Sequence, residues 1–197
     1  MKTLKKYKKQ LIFLVLVIFG LFFRFYSLPA NFSPLLALTL FSGFYFKNKW
    51  GVLTPLAIMI ISDFIIGFYF LPIIISVYLS FILIYFINKT ENSEIKALNL
   101  VFSTFLGSVM FFLVTNFSVW FFSGWYEFSF AGLLSCFYMA LPFLKNSLMG
   151  NFFFVSAIFG SYELYLVLKV FLKENNYYNF YGQEKKYLGK AEKISQL

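Results

Sequence analysis

Apolar runs separated by short polar or basic stretches fill almost the whole chain: Leu11–Phe23, Ser33–Phe46, Gly51–Leu71, Pro72–Ile87, Leu98–Phe122, Phe128–Leu144 and Asn151–Leu172. About 20 such residues cross the ~30 Å hydrocarbon core of a bilayer as a helix. Of 197 residues, 60% are hydrophobic and only 13% charged, where a soluble domain runs nearer half apolar and a quarter charged. No soluble core of this size could hide so much apolar surface. A soluble enzyme is excluded, and the chain reads as an all-α polytopic membrane protein.

Local signals set the boundaries. Met1–Gln10 carries five lysines ahead of Leu11–Phe23, as a signal peptide would, but Phe22 to Tyr26 offer no small-residue cleavage site, so this reads as an uncleaved first helix. Ser33-Pro34 is an N-cap followed by proline at the first helical position. That helix stops at Lys47-Asn48-Lys49-Trp50 and is short, so Lys47 and Lys49 are expected to snorkel. The third run, Gly51–Leu71, is interrupted only by Asp63. Pro72 opens the fourth, and Asn88–Lys96 is a polar linker.

Phe128–Leu144 is apolar enough to make a seventh crossing. Charge decides against it. With six crossings and both termini cytoplasmic, all of the 17 basic residues except Arg24 and Lys145 lie inside. Phe128–Leu144 is then expected to be a re-entrant or surface helix on the outer face, ended by Pro142. Trp50 falls at the inner interface, and Trp120 and Trp125 at the outer one. The expected organisation is a six-helix membrane domain over 1–172 and a polar, basic cytoplasmic tail over 173–197.

With that topology the unusual polar groups collect on the extracytoplasmic side. A carboxylate within a span costs about 2.5–3.5 kcal/mol on insertion scales and faces a partner or cavity. For Asp63 the partner is Arg24, the one arginine in the chain, whose guanidinium can hold a carboxylate in a bidentate fork. The pair reads equally as a structural pin between the first and third spans and as a ligand contact. Asn31, Asn116, Asn146 and Asn151 can orient a polar ligand, or can cap helices and satisfy loops. Trp120, Trp125, Tyr126 and Tyr138 can stack on a flat ring or belong to the interfacial belt. Cys136 reads as a small apolar residue before it reads as a metal ligand, and Glu163 is a second candidate buried carboxylate.

Enzyme chemistry has little to work with. The chain has no His and no nucleophile elbow, Walker loop, zinc-binding His pair or Cys-x-x-Cys. No metal, cofactor or nucleic-acid partner is expected, and the lysines serve topology and anionic lipid.

The strings Asn31-Phe32-Ser33-Pro34, Phe41-Ser42-Gly43, Ser62-Asp63, Thr115-Asn116-Phe117 with Trp120, and Cys136-Phe137-Tyr138 with Ala140-Leu141-Pro142-Phe143 together resemble a small bacterial family of uncharacterised six-span membrane proteins. That family is in turn similar to the substrate-capture (S) components of energy-coupling-factor transporters. The resemblance implies a six-helix inner-membrane protein with both termini inside. It implies a vitamin-like micronutrient bound near the outer face, and a separate energising transmembrane subunit with ATPases. The first span departs from the S-component pattern in lacking a small-xxx-small pair, Gly20 being its only small residue; Ser103/Gly107 or Ser156/Gly160 would then serve close helix approach.

The sequence therefore points to capture of a small micronutrient in a pocket built from Arg24, Asn31, Asp63, Asn116, Trp120, Tyr138 and Asn146, beneath a lid formed by Phe128–Leu144. The alternative is a non-catalytic scaffold or accessory subunit whose polar cluster only locks helices together.

Overall fold

The structure, a computed structural model, describes residues 2–26, 28–87 and 97–195, with side chains over 7–26, 28–86 and 97–173. Among these residues the chain is all-helical: α1 Lys2–Phe25, α2 Leu35–Phe46, α3 Lys49–Ile66, α4 Leu71–Ile87, α5 Ala97–Phe122 and α6 Phe130–Ser195. The predicted linker 88–96 lies outside the described residues, as do the side chains of Lys2, Lys5, Lys6 and the basic residues beyond Lys173. Lys49–Ile66, Ala97–Phe122 and Phe130–Lys173 are long and apolar enough to cross a membrane, and Leu35–Phe46 and Leu71–Phe86 are apolar but shorter. These helices are consistent with a membrane protein, while the count of six crossings rests on the loop charges. The chain divides into two compact units, Met1–Ile158 and Phe159–Leu197, with the boundary inside α6.

Packing in the first unit follows from which helices carry no polar face. α2 is buried nearly all round, from Leu35 to Gly43 and again at Phe46, as an apolar helix without a polar stripe must be. It packs against α1, α3, α4 and α5. Several buried hydroxyls are satisfied by their own helices. Thr39 donates to the Leu35 carbonyl (2.7 Å), Thr104 to Leu100 (2.7 Å) and Ser108 to Thr104 (2.7 Å). Such side chains are small and need no outside partner, so helices can approach closely in an apolar solvent. The outward surface is apolar instead, with Leu14, Ile18, Phe22, Phe64 and Phe102 all exposed.

Helix ends explain two departures from the predicted boundaries. α2 begins one residue later than expected: Pro34 is the N-cap, though the Ser33 hydroxyl still accepts from the Leu35 amide (3.3 Å). α3 stops at Ile66 rather than Leu71, because Gly67 turns to φ +109°, a conformation open to glycine. Pro55, inside α3, cannot donate to the Gly51 carbonyl one turn earlier; the Ser42 hydroxyl of α2 takes its place at 2.8 Å.

The largest correction concerns Phe128–Leu144. It is not a separate outer-face helix, and Pro142 does not end it: α6 runs unbroken from Phe130 to Ser195. A proline removes one helical hydrogen bond and crowds the preceding turn. Here packing on both sides outweighs that cost, with Cys136 and Ala140 buried before Pro142 and Ser147 and Asn151 buried after it.

Candidate functional site

Gly20 and Arg24 lie one turn apart and so share a face of α1, as Ile58 and Ser62 do on α3. A Cβ at position 20 would sit 2.4 Å from Ile58 Cδ1. Glycine there lets α1 close on α3 and brings Arg24 onto the next turn. Its Nη2 donates to Asp63 Oδ1 at 2.7 Å and its Nε to Ser62 Oγ at 3.0 Å. The Ser62 hydroxyl in turn donates to the Met59 carbonyl (3.0 Å). Asp63 Oδ2 accepts from Tyr78 on α4 at 2.9 Å. The fork predicted for one carboxylate is thus split between a carboxylate and a hydroxyl, and the network pins α1, α3 and α4. The Asp63 side chain is 2% exposed and that of Arg24 29%, so the guanidinium alone reaches outward.

It reaches a cavity of about 210 Å³ to which all six helices or their flanking loops contribute. Leu36, Met59, Phe81, Ser147 and Asn151 form its floor; Asn31 and Tyr69, both exposed, stand at its mouth. It lies where α1 and α3 finish and α2 and α4 begin.

Asn31 adopts φ +63°, the left-handed region that asparagine tolerates better than most residues. Its loop is clamped from α6: Asn146 Nδ2 donates to the Ala30 carbonyl (3.2 Å), and Gly150 packs where a Cβ would lie 2.9 Å from Phe32 Cα.

Tyr69 follows Gly67 in the non-helical segment 67–70. Tyr69 is 45% exposed; desolvation of its sheltered part first and the Asp63 charge second push its phenol above the ordinary value, with Arg24 opposing, so it stays protonated and able to donate. Asn151 Nδ2 donates to Ser108 Oγ (2.9 Å) and Ser147 Oγ (3.2 Å). Its Oδ1 has no partner among the described residues. No sealed side-chain polar atom lacks one among the described residues, so that oxygen opens onto the cavity.

The structure therefore brings together some of the predicted residues and not others. Arg24 and Asn31 line the cavity, Asp63 stands behind Arg24, and Asn146 holds the loop that carries Asn31. Asn116, Trp120 and Tyr138 are elsewhere. Asn116 donates to the Phe112 carbonyl of its own helix (2.8 Å). Trp120 donates to the Glu127 carbonyl (3.1 Å) and stacks on Phe128 at 4.8 Å, fixing the turn between α5 and α6. Tyr138 is 71% exposed. Cys136 is buried and donates to the Asn116 carbonyl (3.4 Å), and Glu163, in the second unit, is exposed. Sequence reasoning leaves Tyr69 and Ser147 out of the site and has Asn151 only among the candidate asparagines, not in the pocket it builds. The spacing of Ser147 and Asn151, one helical turn apart, is a usable signal for both; Tyr69 has none.

Residues 4–173 match the family of unknown function DUF6580, and the chain belongs to that family. No curated protein and no solved structure matches the chain.

Proposed function

We propose that the protein binds a small vitamin-like micronutrient at the extracytoplasmic side of the bacterial inner membrane and serves as the capture component of an uptake system. In this reading the chain crosses six times with both termini cytoplasmic. It works by binding rather than bond-making, and a separate energising subunit with ATPases drives release, as in the S components it resembles.

One observation carries the reading: a cavity bordered by every helix, with donors and acceptors that the fold leaves unspent. A polar recess among apolar walls is the usual design of a small-molecule site. The predicted topology puts its mouth, between the loop at 28–34 and the segment 67–70, outside. With α6 continuous, the 28–34 loop rather than a separate 128–144 helix borders the mouth.

Mass spectrometry of small molecules released from the full chain purified in mild detergent tests the proposal. A stoichiometric compound is the expected result, and Asn31→Ala is expected to weaken its rebinding. The scaffold reading keeps one specific observation, since the Arg24–Asp63–Tyr78 network is satisfied internally. A folded, empty preparation that retains only lipid and a constant protein partner would favour it.

A further inference from the structure

The hydrogen-bonding groups left over in the cavity are strongly one-sided. A guanidinium has five N–H donors. Two of those on Arg24 are taken, by Ser62 and Asp63, which leaves both on Nη1 and one on Nη2. Tyr69 and Ser147 line the cavity with hydroxyl hydrogens that no group among the described residues accepts, and Ser33, which accepts from Leu35, keeps its own. Against these donors stand the side-chain oxygens of Asn31 and Asn151. Among the described residues no carboxylate lines the space, and both oxygens of Asp63 are spent behind the guanidinium. The remaining wall is apolar, with Met59, Phe81 and Phe111.

We propose that the ligand is a small monocarboxylate with an apolar or aromatic body. Its carboxylate sits on the free edge of Arg24 and the Tyr69 hydroxyl, and its body lies against Met59, Phe81 and Phe111. This rests on the capture reading and deepens it. An ammonium would meet the like charge of Arg24 with no lining carboxylate among the described residues to offset it. An amide would offer the guanidinium one neutral oxygen where a carboxylate offers two charged ones. A dianion such as a phosphate monoester would leave more negative charge than one guanidinium, already paired once, can hold in a half-buried site. A carboxylate offers four lone-pair sites and no proton, which matches the unspent donors.

The test is a matched probe series, benzoate, benzamide, benzylamine and phenyl phosphate, titrated against the full chain in detergent micelles by calorimetry and thermal shift. Benzoate is expected to bind at least about tenfold tighter than the other three, the cost of leaving site donors facing the wrong partner. Arg24→Lys, which keeps the charge but loses the planar edge, is expected to weaken benzoate about ten- to a hundredfold. Arg24 also joins helices, so Tyr69→Phe is the second variant: it breaks no hydrogen bond among the described residues and is expected to cost benzoate about three- to tenfold.

Benzamide, benzylamine or phenyl phosphate binding as tightly as benzoate would overturn the carboxylate assignment and leave capture standing. So would benzoate affinity indifferent to both substitutions, or a co-purified ligand without a carboxylate. A folded chain that binds no probe and releases no small molecule would overturn both proposals.

Discussion

Replacing Asp63 by asparagine keeps the shape of the side chain and removes its charge. Oδ1 can still accept from Arg24 Nη2 across 2.7 Å, and Tyr78 can turn its hydroxyl to accept from the new amide across what is now a 2.9 Å donation. What disappears is a negative charge 2% exposed, opposite a guanidinium 29% exposed. A hydrogen bond to a charged group contributes about 1.5–3 kcal/mol and a neutral one about 0.5–1.5, so Asp63→Asn is expected to destabilise by about 1–2 kcal/mol. Asp63→Ala loses both bonds and strands the guanidinium. The expected cost is about 3 kcal/mol, the low end for a broken buried pair because Arg24 keeps partial access to solvent. Reversible unfolding of the full chain in mixed micelles measures both, and a double-mutant cycle with Arg24→Gln isolates the pair. The coupling energy is expected to reach about 1 kcal/mol or more. A coupling within about 0.3 kcal/mol of zero would refute the claim that this ion pair fastens α1 to α3.

Three other substitutions probe the surroundings of the site. Gly150→Ala puts a methyl group 2.9 Å from Phe32 Cα; it is expected to cost about 1–3 kcal/mol in unfolding experiments and to weaken ligand binding, because the backbone it displaces carries Asn31 and Ser33. Asn116→Ala removes a bond to its own helix and is expected to leave ligand affinity within about twofold in a titration, since binding follows contacts with the ligand. Ser42→Ala strips the Gly51 carbonyl of the donor that replaces the missing Pro55 amide; a loss of about 1–3 kcal/mol is expected. Adding Pro55→Ala, which supplies an N–H for that carbonyl, is expected to recover part of that loss by the same unfolding assay.

The contrast between Asn116 and Asn151 shows what a sequence of this kind reveals and what it withholds. Arg24 and Asp63 pair on sequence grounds alone, because one guanidinium and one carboxylate at membrane depth have few other ways to be neutralised. The asparagines offer no such arithmetic. Both stand in apolar helices, and both are candidates for the same outer-face pocket.

Their fates divide on helix phase and on neighbours far away in sequence. Asn116 bonds its own helix, while Asn151 meets Ser108 across a 43-residue separation. Apolar patterning cannot supply that phase, because apolar residues surround these helices on every side; the inner face is marked instead by small and hydroxyl residues one turn apart, Thr104 and Ser108 on α5 and Ser147 and Asn151 on α6. Helix ends are hidden for a related reason. Gly67 and Pro142 are both breaking signals, yet the chain obeys the first and overrides the second. Gly67 meets no neighbour within 4 Å of where a Cβ would be, so the backbone is free to turn there. Pro142 is flanked by buried residues on both sides, so the helix is held through it. A breaker therefore acts where packing does not oppose it, and the turn at Gly67 is what delivers Tyr69 to the mouth of the cavity.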